Sequence, residues 1–98
     1  MEEQDLISVA VFCEQHAVEL SFVQHVEAYG LVPFTTVQEK KFVAAEDLAT
    51  LERCCRLFYD LDINPPGIDA IQHLLQRMAA LQEENRGLRN RLRLYEDD

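Results

Sequence analysis

From Ile68 to Tyr95 no proline interrupts the chain, and Ile71, Leu74, Met78, Leu81, Asn85, Leu88, Leu92 and Tyr95 follow one another at alternating spacings of three and four. That stride is the seam of a coiled coil, and it predicts one long helix whose apolar stripe needs a second helix beside it. With Ile71, Met78, Asn85 and Leu92 at the a positions, a single Asn sits in the seam, where it fixes register and partner number at some cost in stability. A helix folding back on its own domain would use the first half of the stripe but not a seam that runs on to Tyr95. A homodimer is therefore expected. In a parallel pair the g residues Glu84 and Arg91 would meet the e residues Arg89 and Glu96, both attractive, although exposed ion pairs contribute only about 0–1 kcal/mol each.

Ahead of that helix there is room for one small lobe, because a chain of 98 residues supports a single core. Ser8 is placed to cap a short helix over Val9–His16, with Val9, Phe12 and Cys13 on one face. A second helix from about Leu20 to Tyr29 buries Phe22, Val23 and Val26, and Gly30 stands where a left-handed C-terminal cap is expected. Two short helices joined by a tight turn read as a helix-turn-helix. Leu31 to Val37, then the polar break Gln38-Glu39-Lys40-Lys41, then Phe42-Val43 predict a small hairpin, with Pro33 confining its strand to an edge. A further helix from Ala45 to about Leu61 carries Leu48, Leu51, Cys55 and Phe58 inward, with Glu46 and Asp47 in its first turn. Asp60 to Pro66 then reads as a linker. The domain division is residues 1–64 for the lobe and 65–98 for the coiled-coil dimerisation helix.

Charge narrows the choice of partner. Nine Lys and Arg against eighteen Asp and Glu give a net charge of -9. Residues 1–30 hold Glu2, Glu3, Asp5, Glu14, Glu19 and Glu27 and no Lys or Arg, so six of the nine net charges are assigned to the helix-turn-helix region. Arg86, Arg89, Arg91 and Arg93 crowd the far end of the long helix instead, with Arg89 and Arg91 at e and g. A polyanion would have to bind the lobe against its field, which disfavours nucleic acid and anionic membranes. No apolar run is long enough to cross a membrane, and the opening Met1-Glu2-Glu3-Gln4-Asp5 lacks the basic region of a secretory signal. A cytoplasmic protein with reduced thiols is expected, since Cys13, Cys54 and Cys55 are odd in number and the last two are neighbours that diverge on a helix.

The order of helix-turn-helix, hairpin wing, further helix and long dimerising helix resembles the MerR superfamily. Within it the chain is similar to the chaperone-modulator proteins. The resemblance is carried by Val18-Glu19-Leu20-Ser21-Phe22, Tyr29-Gly30-Leu31, Leu57-Phe58-Tyr59-Asp60-Leu61-Asp62-Ile63-Asn64, Gly67-Ile68-Asp69-Ala70-Ile71 and Leu88-Arg89-Asn90-Arg91-Leu92. It implies a mostly α fold, a MerR-like winged helix-turn-helix followed by a long coiled-coil helix, with antiparallel pairing of the two helices. It also implies a regulator that inhibits a DnaJ-like, curved-DNA-binding co-chaperone by binding its J-domain through an acidic helix-turn-helix surface. Glu14, Glu19, Gln24, Glu27 and Tyr29, on or beside the second helix, are the candidate partner-binding residues, although any single surface acid is more commonly just solvated.

The departures from the DNA-binding pattern point the same way. MerR regulators place an Arg six residues before the glycine of the Tyr-Gly-Leu motif, where this chain has Gln24, and an aromatic where it has Val26. The Arg-Tyr pair of the wing corresponds to Phe42-Val43, leaving Lys40 and Lys41 just before. On this reading the helix-turn-helix has no cation on its docking face. A MerR-type DNA-binding transcriptional regulator is the alternative, resting on Lys40, Lys41 and the Arg86–Arg93 cluster. Metal or redox sensing lacks ligand spacing, because no CxxC or HxxxH occurs among Cys13, Cys54, Cys55, His16, His25 and His73. Cys13 and Cys55 read as small core residues and the histidines as surface ones. No enzyme, cofactor or metal is expected: there is no glycine-rich phosphate loop, no GxSxG and no nucleophile with a polar triad around it.

Overall fold

The computed structural model describes residues 5–96. In chain order these form β1 (Leu6–Ser8), α1 (Val9–His16), α2 (Leu20–Ala28), β2 (Thr35–Val37), β3 (Lys40–Ala44), a 3-10 turn (Ala45–Asp47), α3 (Leu48–Tyr59) and α4 (Pro65–Glu96). The protein is mostly α, with a small sheet and a long C-terminal helix.

Ser8 caps α1 as expected, its hydroxyl accepting from the Val11 N–H at 3.4 Å. At the other end Ala17 takes a left-handed φ of 53°, a conformation strained for a residue with a Cβ. That turn lets the Val18 N–H reach the Cys13 carbonyl at 2.9 Å and sends α2 back across α1. Gly30, at φ 65°, ends α2 with Leu31 N–H on the Val26 carbonyl and Gly30 N–H on that of Glu27, both at 3.0 Å.

The hairpin differs in its turn and in its company. Gln38 and Glu39 alone make the turn, both at positive φ as a two-residue hairpin of the right twist requires, so Lys40 and Lys41 belong to β3 and not to the break. Strand β1, which the sequence reading did not contain, pairs antiparallel with β3 through Leu6 and Ala44, Ile7 and Val43, and Ser8 and Phe42. β3 is thus the centre of a β1-β3-β2 sheet, and Pro33 lies just ahead of the edge strand β2.

The core joins Val9 and Phe12 of α1, Phe22, Val23 and Val26 of α2, Val43 of β3, Leu51 and Cys54 of α3 and Ile68 of α4. Phe22 stacks on Phe58 at 4.4 Å. The buried cysteine of α3 is Cys54, not the expected Cys55: the inward stripe passes from Leu51 to the residue three further on, and Cys13 and Cys55 pack half-buried at its edge.

The long helix begins three residues earlier than Ile68. Proline is tolerated at the first helical position, where its missing N–H costs nothing, and Asn64 Oδ1 accepts the Gly67 N–H at 2.9 Å as an N-terminal cap. Ile68 and Gln72 are buried in the lobe. Gln72 Nε2 donates to the Leu31 carbonyl at 3.0 Å, and its Oε1 accepts from Arg53 at 3.3 Å. Beyond Leu75 every described residue of α4 is exposed.

Candidate docking face of the helix-turn-helix

Leu20, Gln24 and Glu27 fall at i, i+4 and i+7 and share the outer face of α2. All three are exposed. Between this face and the wing lies a cleft of about 420 Å³, lined by Ser8, Val9, Ala10, Leu20, Gln24, Glu39, Lys40 and Lys41. Its floor is aliphatic and its rim is polar. Glu14 stands four residues after Ala10 on the same face of α1.

The predicted docking residues are thereby divided. Gln24 lines the cleft, and Glu27 borders it in an ion pair between its carboxylate and Lys41 Nζ. Glu19 occupies the N-cap position of α2 without a side-chain capping bond: its backbone N–H donates to Tyr59 Oη at 3.0 Å and its carboxylate accepts from Ser21 Oγ at 3.3 Å. Tyr29, half exposed, sits past the far end of α2, about 13 Å along the axis from Leu20 at the usual helical rise.

Two expectations about charge are corrected. Of the described acids in residues 1–30, Glu14, Glu19 and Glu27 lie on or next to the two helices and Asp5 precedes β1; Glu2 and Glu3 lie outside the described residues. Nor is the docking face without cations. The two-residue turn brings Lys40 and Lys41 over α2, where Lys41 neutralises Glu27. Sequence reasoning missed this pairing because it spans fourteen positions and depends on which residues make the turn. Of the wing positions Phe42 and Val43, Val43 is fully buried and Phe42 half so.

On the opposite side, a second cleft of about 410 Å³ runs between the end of α1 and α3, with Phe12, His16, Cys55, Arg56 and Tyr59 on its walls. His16 is exposed and stacks on Phe12 at 4.3 Å. Burial, with Cys54, Cys13 and Glu52 as negative neighbours, pushes the Cys55 thiol up to about 12. Burial also raises Cys13 and Cys54, so all three are thiols rather than reactive thiolates at neutral pH. Among the described residues no three His, Cys, Asp or Glu side chains are placed to share a metal ion.

The expected seam runs along α4 as one stripe. Ile71 is half-buried against the lobe, and Leu74, Met78, Leu81, Asn85, Leu88, Leu92 and Tyr95 are exposed. No described helix is long and apolar enough to cross a membrane.

Residues 7–90 match the family described as MerR HTH family regulatory protein. The chain belongs to that MerR family. It is similar to the Chaperone modulatory protein CbpM of Escherichia coli O1:K1 / APEC, with 29% identity over 86 residues that cover 87% of this chain and 85% of the relative. The same protein of Escherichia coli O45:K1 (strain S88 / ExPEC) and of Escherichia coli O81 (strain ED1a) matches to the same extent. Both names denote regulators rather than enzymes. As a MerR-type lobe the domain keeps the helix-turn-helix, the wing and the long helix, and places Gln24 where α2 faces the wing cleft.

Proposed function

We propose that this chain is a CbpM-type regulator that inhibits a DnaJ-like co-chaperone by covering its J-domain with the exposed face of the helix-turn-helix. One observation supports this most: α1 and α2 present Glu14, Glu19, Gln24 and Leu20 outward and carry no Lys or Arg at all. J-domains present a positively charged helix to a DnaK-type chaperone, so a neutral-to-acidic surface over that helix competes with the chaperone. Opposed charge speeds encounter and rejects wrong partners, while apolar contacts at the centre hold the complex. Glu14, Glu19, Gln24 and Tyr29 remain the partner-binding candidates; Glu27 acts through its pair with Lys41. Calorimetry with the purified J-domain of the DnaJ-like co-chaperone from the same cell tests the reading. Binding is expected, weakened by Glu19→Lys, with loss of J-domain-stimulated ATP hydrolysis by the DnaK-type chaperone when the regulator is added. No binding, or binding indifferent to that charge reversal, rejects it.

The active species in this proposal is a homodimer formed along residues 65–98. An isolated helix that makes no tertiary contacts is only marginally stable in water, and beyond Leu75 the exposed seam supplies the surface a second copy would cover. The family resemblance favours antiparallel helices; the e and g charges favour parallel ones.

DNA binding stays as a second reading because Lys40 and Lys41 flank the outer face of α2. A gel-shift titration over salt decides it: binding that falls steeply with added salt marks phosphate contacts, and no binding at low salt removes the idea.

A further inference from the structure

We propose that the exposed stripe of α4 is covered by a second copy running antiparallel, in the register that sets Ile71, Leu74 and Met78 of one chain opposite Leu88, Asn85 and Leu81 of the other. Arg77 of each chain then meets Glu84 of the other. This rests on the homodimer reading above and adds to it the direction, the register and the contacts that choose them.

In an antiparallel pair a positions pack beside d positions, and g positions face g positions across the seam. Sliding one helix past the other by a heptad changes which g residues meet. With Ile71 opposite Tyr95, Arg77 meets Arg91 and Glu84 meets its own copy, all of like charge. With Ile71 opposite Leu81, Arg77 meets its own copy. With Ile71 opposite Leu88, Arg77 meets Glu84 on both sides of the dyad. A slide the other way, with Met78 opposite Tyr95, pairs Glu84 with Arg91 but leaves Ile71 and Leu74 uncovered, the latter 59% exposed. The chosen register also overlaps α4 along its whole length, bringing Leu92 level with the second copy's Gly67 and Tyr95 level with its Asn64. There Ile63 fills the seam position that Gly67 leaves open, its Cγ2 lying 2.8 Å from where a Cβ of residue 67 would stand, and Leu61 is 64% exposed. The two apolar residues beyond the paired seam thus meet apolar residues just ahead of the second copy's α4.

Direction follows from how charge is distributed along the chain. Residues 85–95 hold Arg86, Arg89, Arg91 and Arg93 and no acid, whereas residues 57–76 hold Asp60, Asp62 and Asp69 and no Lys or Arg. Antiparallel pairing lays the first segment beside the second. Parallel pairing gains Glu84 with Arg89, Arg91 with Glu96 and Asn85 with its own copy. It also sets the two arginine segments side by side, gathers at one end two lobes whose residues 1–64 hold twelve acids against four bases, and leaves Leu61 open. Exposed pairs are individually weak, so like charge gathered over whole segments decides against it.

Exchanging the two charges tests the register, because Arg77 and Glu84 are exposed and too far apart along one helix to pair with each other. Sedimentation equilibrium should show Arg77→Glu, and separately Glu84→Arg, weakening the dimer about tenfold, since each reverses two symmetry-related pairs. The double variant should return to within about threefold of wild type. In a parallel dimer Arg77 faces Gln82, so Arg77→Glu alone would do little, and the double variant would keep the damage done at Glu84, whose partner there is Arg89. Direction is read by copper–phenanthroline oxidation. An equimolar mixture of Leu74→Cys and Asn85→Cys should give a disulfide-linked dimer that neither variant gives alone, whereas a parallel pair links Leu74→Cys to itself. Wild-type protein sets the background from its own cysteines, and an unchanged near-ultraviolet signal is the folding control. Wild-type protein that stays monomeric overturns the homodimer reading and this proposal with it. A dimer that Arg77→Glu leaves unchanged, that the double variant fails to restore, or in which Leu74→Cys links to itself, overturns this proposal alone.

Discussion

Phe22, Val23 and Val26 of α2 lie in one cluster with residues of α1, β3, α3 and α4, whereas Leu81, Leu88 and Leu92 of α4 stand 55–60% exposed. The same kind of side chain at the same helical spacing has opposite fates in the two regions. In the lobe the stripes of short helices converge from several directions, so each covers another. Along α4 there is one direction only, and after Leu75 none of the described residues packs on it. Apolar periodicity thus specifies that a face must be covered, and the topology decides whether the cover can come from within the chain.

Substitutions separate these two conditions. The largest effect belongs to the sealed side: Phe22→Ala should cost about 3–5 kcal/mol and melt the lobe, read by chemical denaturation followed by circular dichroism. If the proposed homodimer forms along α4, the paired change Leu81→Asp with Leu88→Asp should leave the near-ultraviolet signal of the lobe intact while shifting sedimentation from dimer to monomer. If the lobe melts instead, or the sedimenting species does not change, the division between self-covered and partner-covered stripes is wrong.

At the join between the regions smaller effects are expected. Gln72→Ala removes the donor to the buried Leu31 carbonyl and should cost about 1–3 kcal/mol, measured as a shift in the unfolding midpoint. Gly67→Ala places a Cβ 2.8 Å from Ile63 Cγ2 and 3.1 Å from Asn64 Oδ1, crowding the cap of α4, and should cost about 1 kcal/mol in the same assay.

Alkaline pH provides a gentler probe of the lobe alone. The Cys55 thiol ionises near its ordinary value, about 8.5, once unfolded and only near 12 when folded. Its contribution to stability is therefore complete below about 8.5 and is lost as pH rises from there towards 12. The unfolding midpoint should fall across that interval, and Cys55→Ala should flatten part of the slope. An unchanged slope in the variant would assign the loss to other groups.

Local signals carried much of this architecture. Ser8, Gly30 and the uninterrupted stride after Pro66 are features of single residues or of one helix, and each element they mark is present at or within a few residues of its expected bounds. What the sequence did not reveal depends on residues meeting at a distance. β1 is three residues long, too short for an alternating pattern, and exists because β3 has an open edge beside it. The hairpin turn uses Gln38 and Glu39, neither of which advertises a positive φ as Gly or Asn would. Cys54 and Cys55 could not be told apart by composition, since either completes a plausible helical stripe. The outer face of α2 was legible in the sequence, but the cleft beside it was not, because the wing had first to be placed over α2.

Gln72 sits on α4, and the carbonyl that it grips belongs to Leu31, the residue after the glycine that closes α2. Swinging α4 away from the end of α2 would strand both buried groups, so this bond opposes a change in the angle between α2 and α4. In a dimer built along α4, the spacing and facing of the two docking surfaces would be inherited from that angle, and a partner with two binding elements would gain from avidity only if its own span matched.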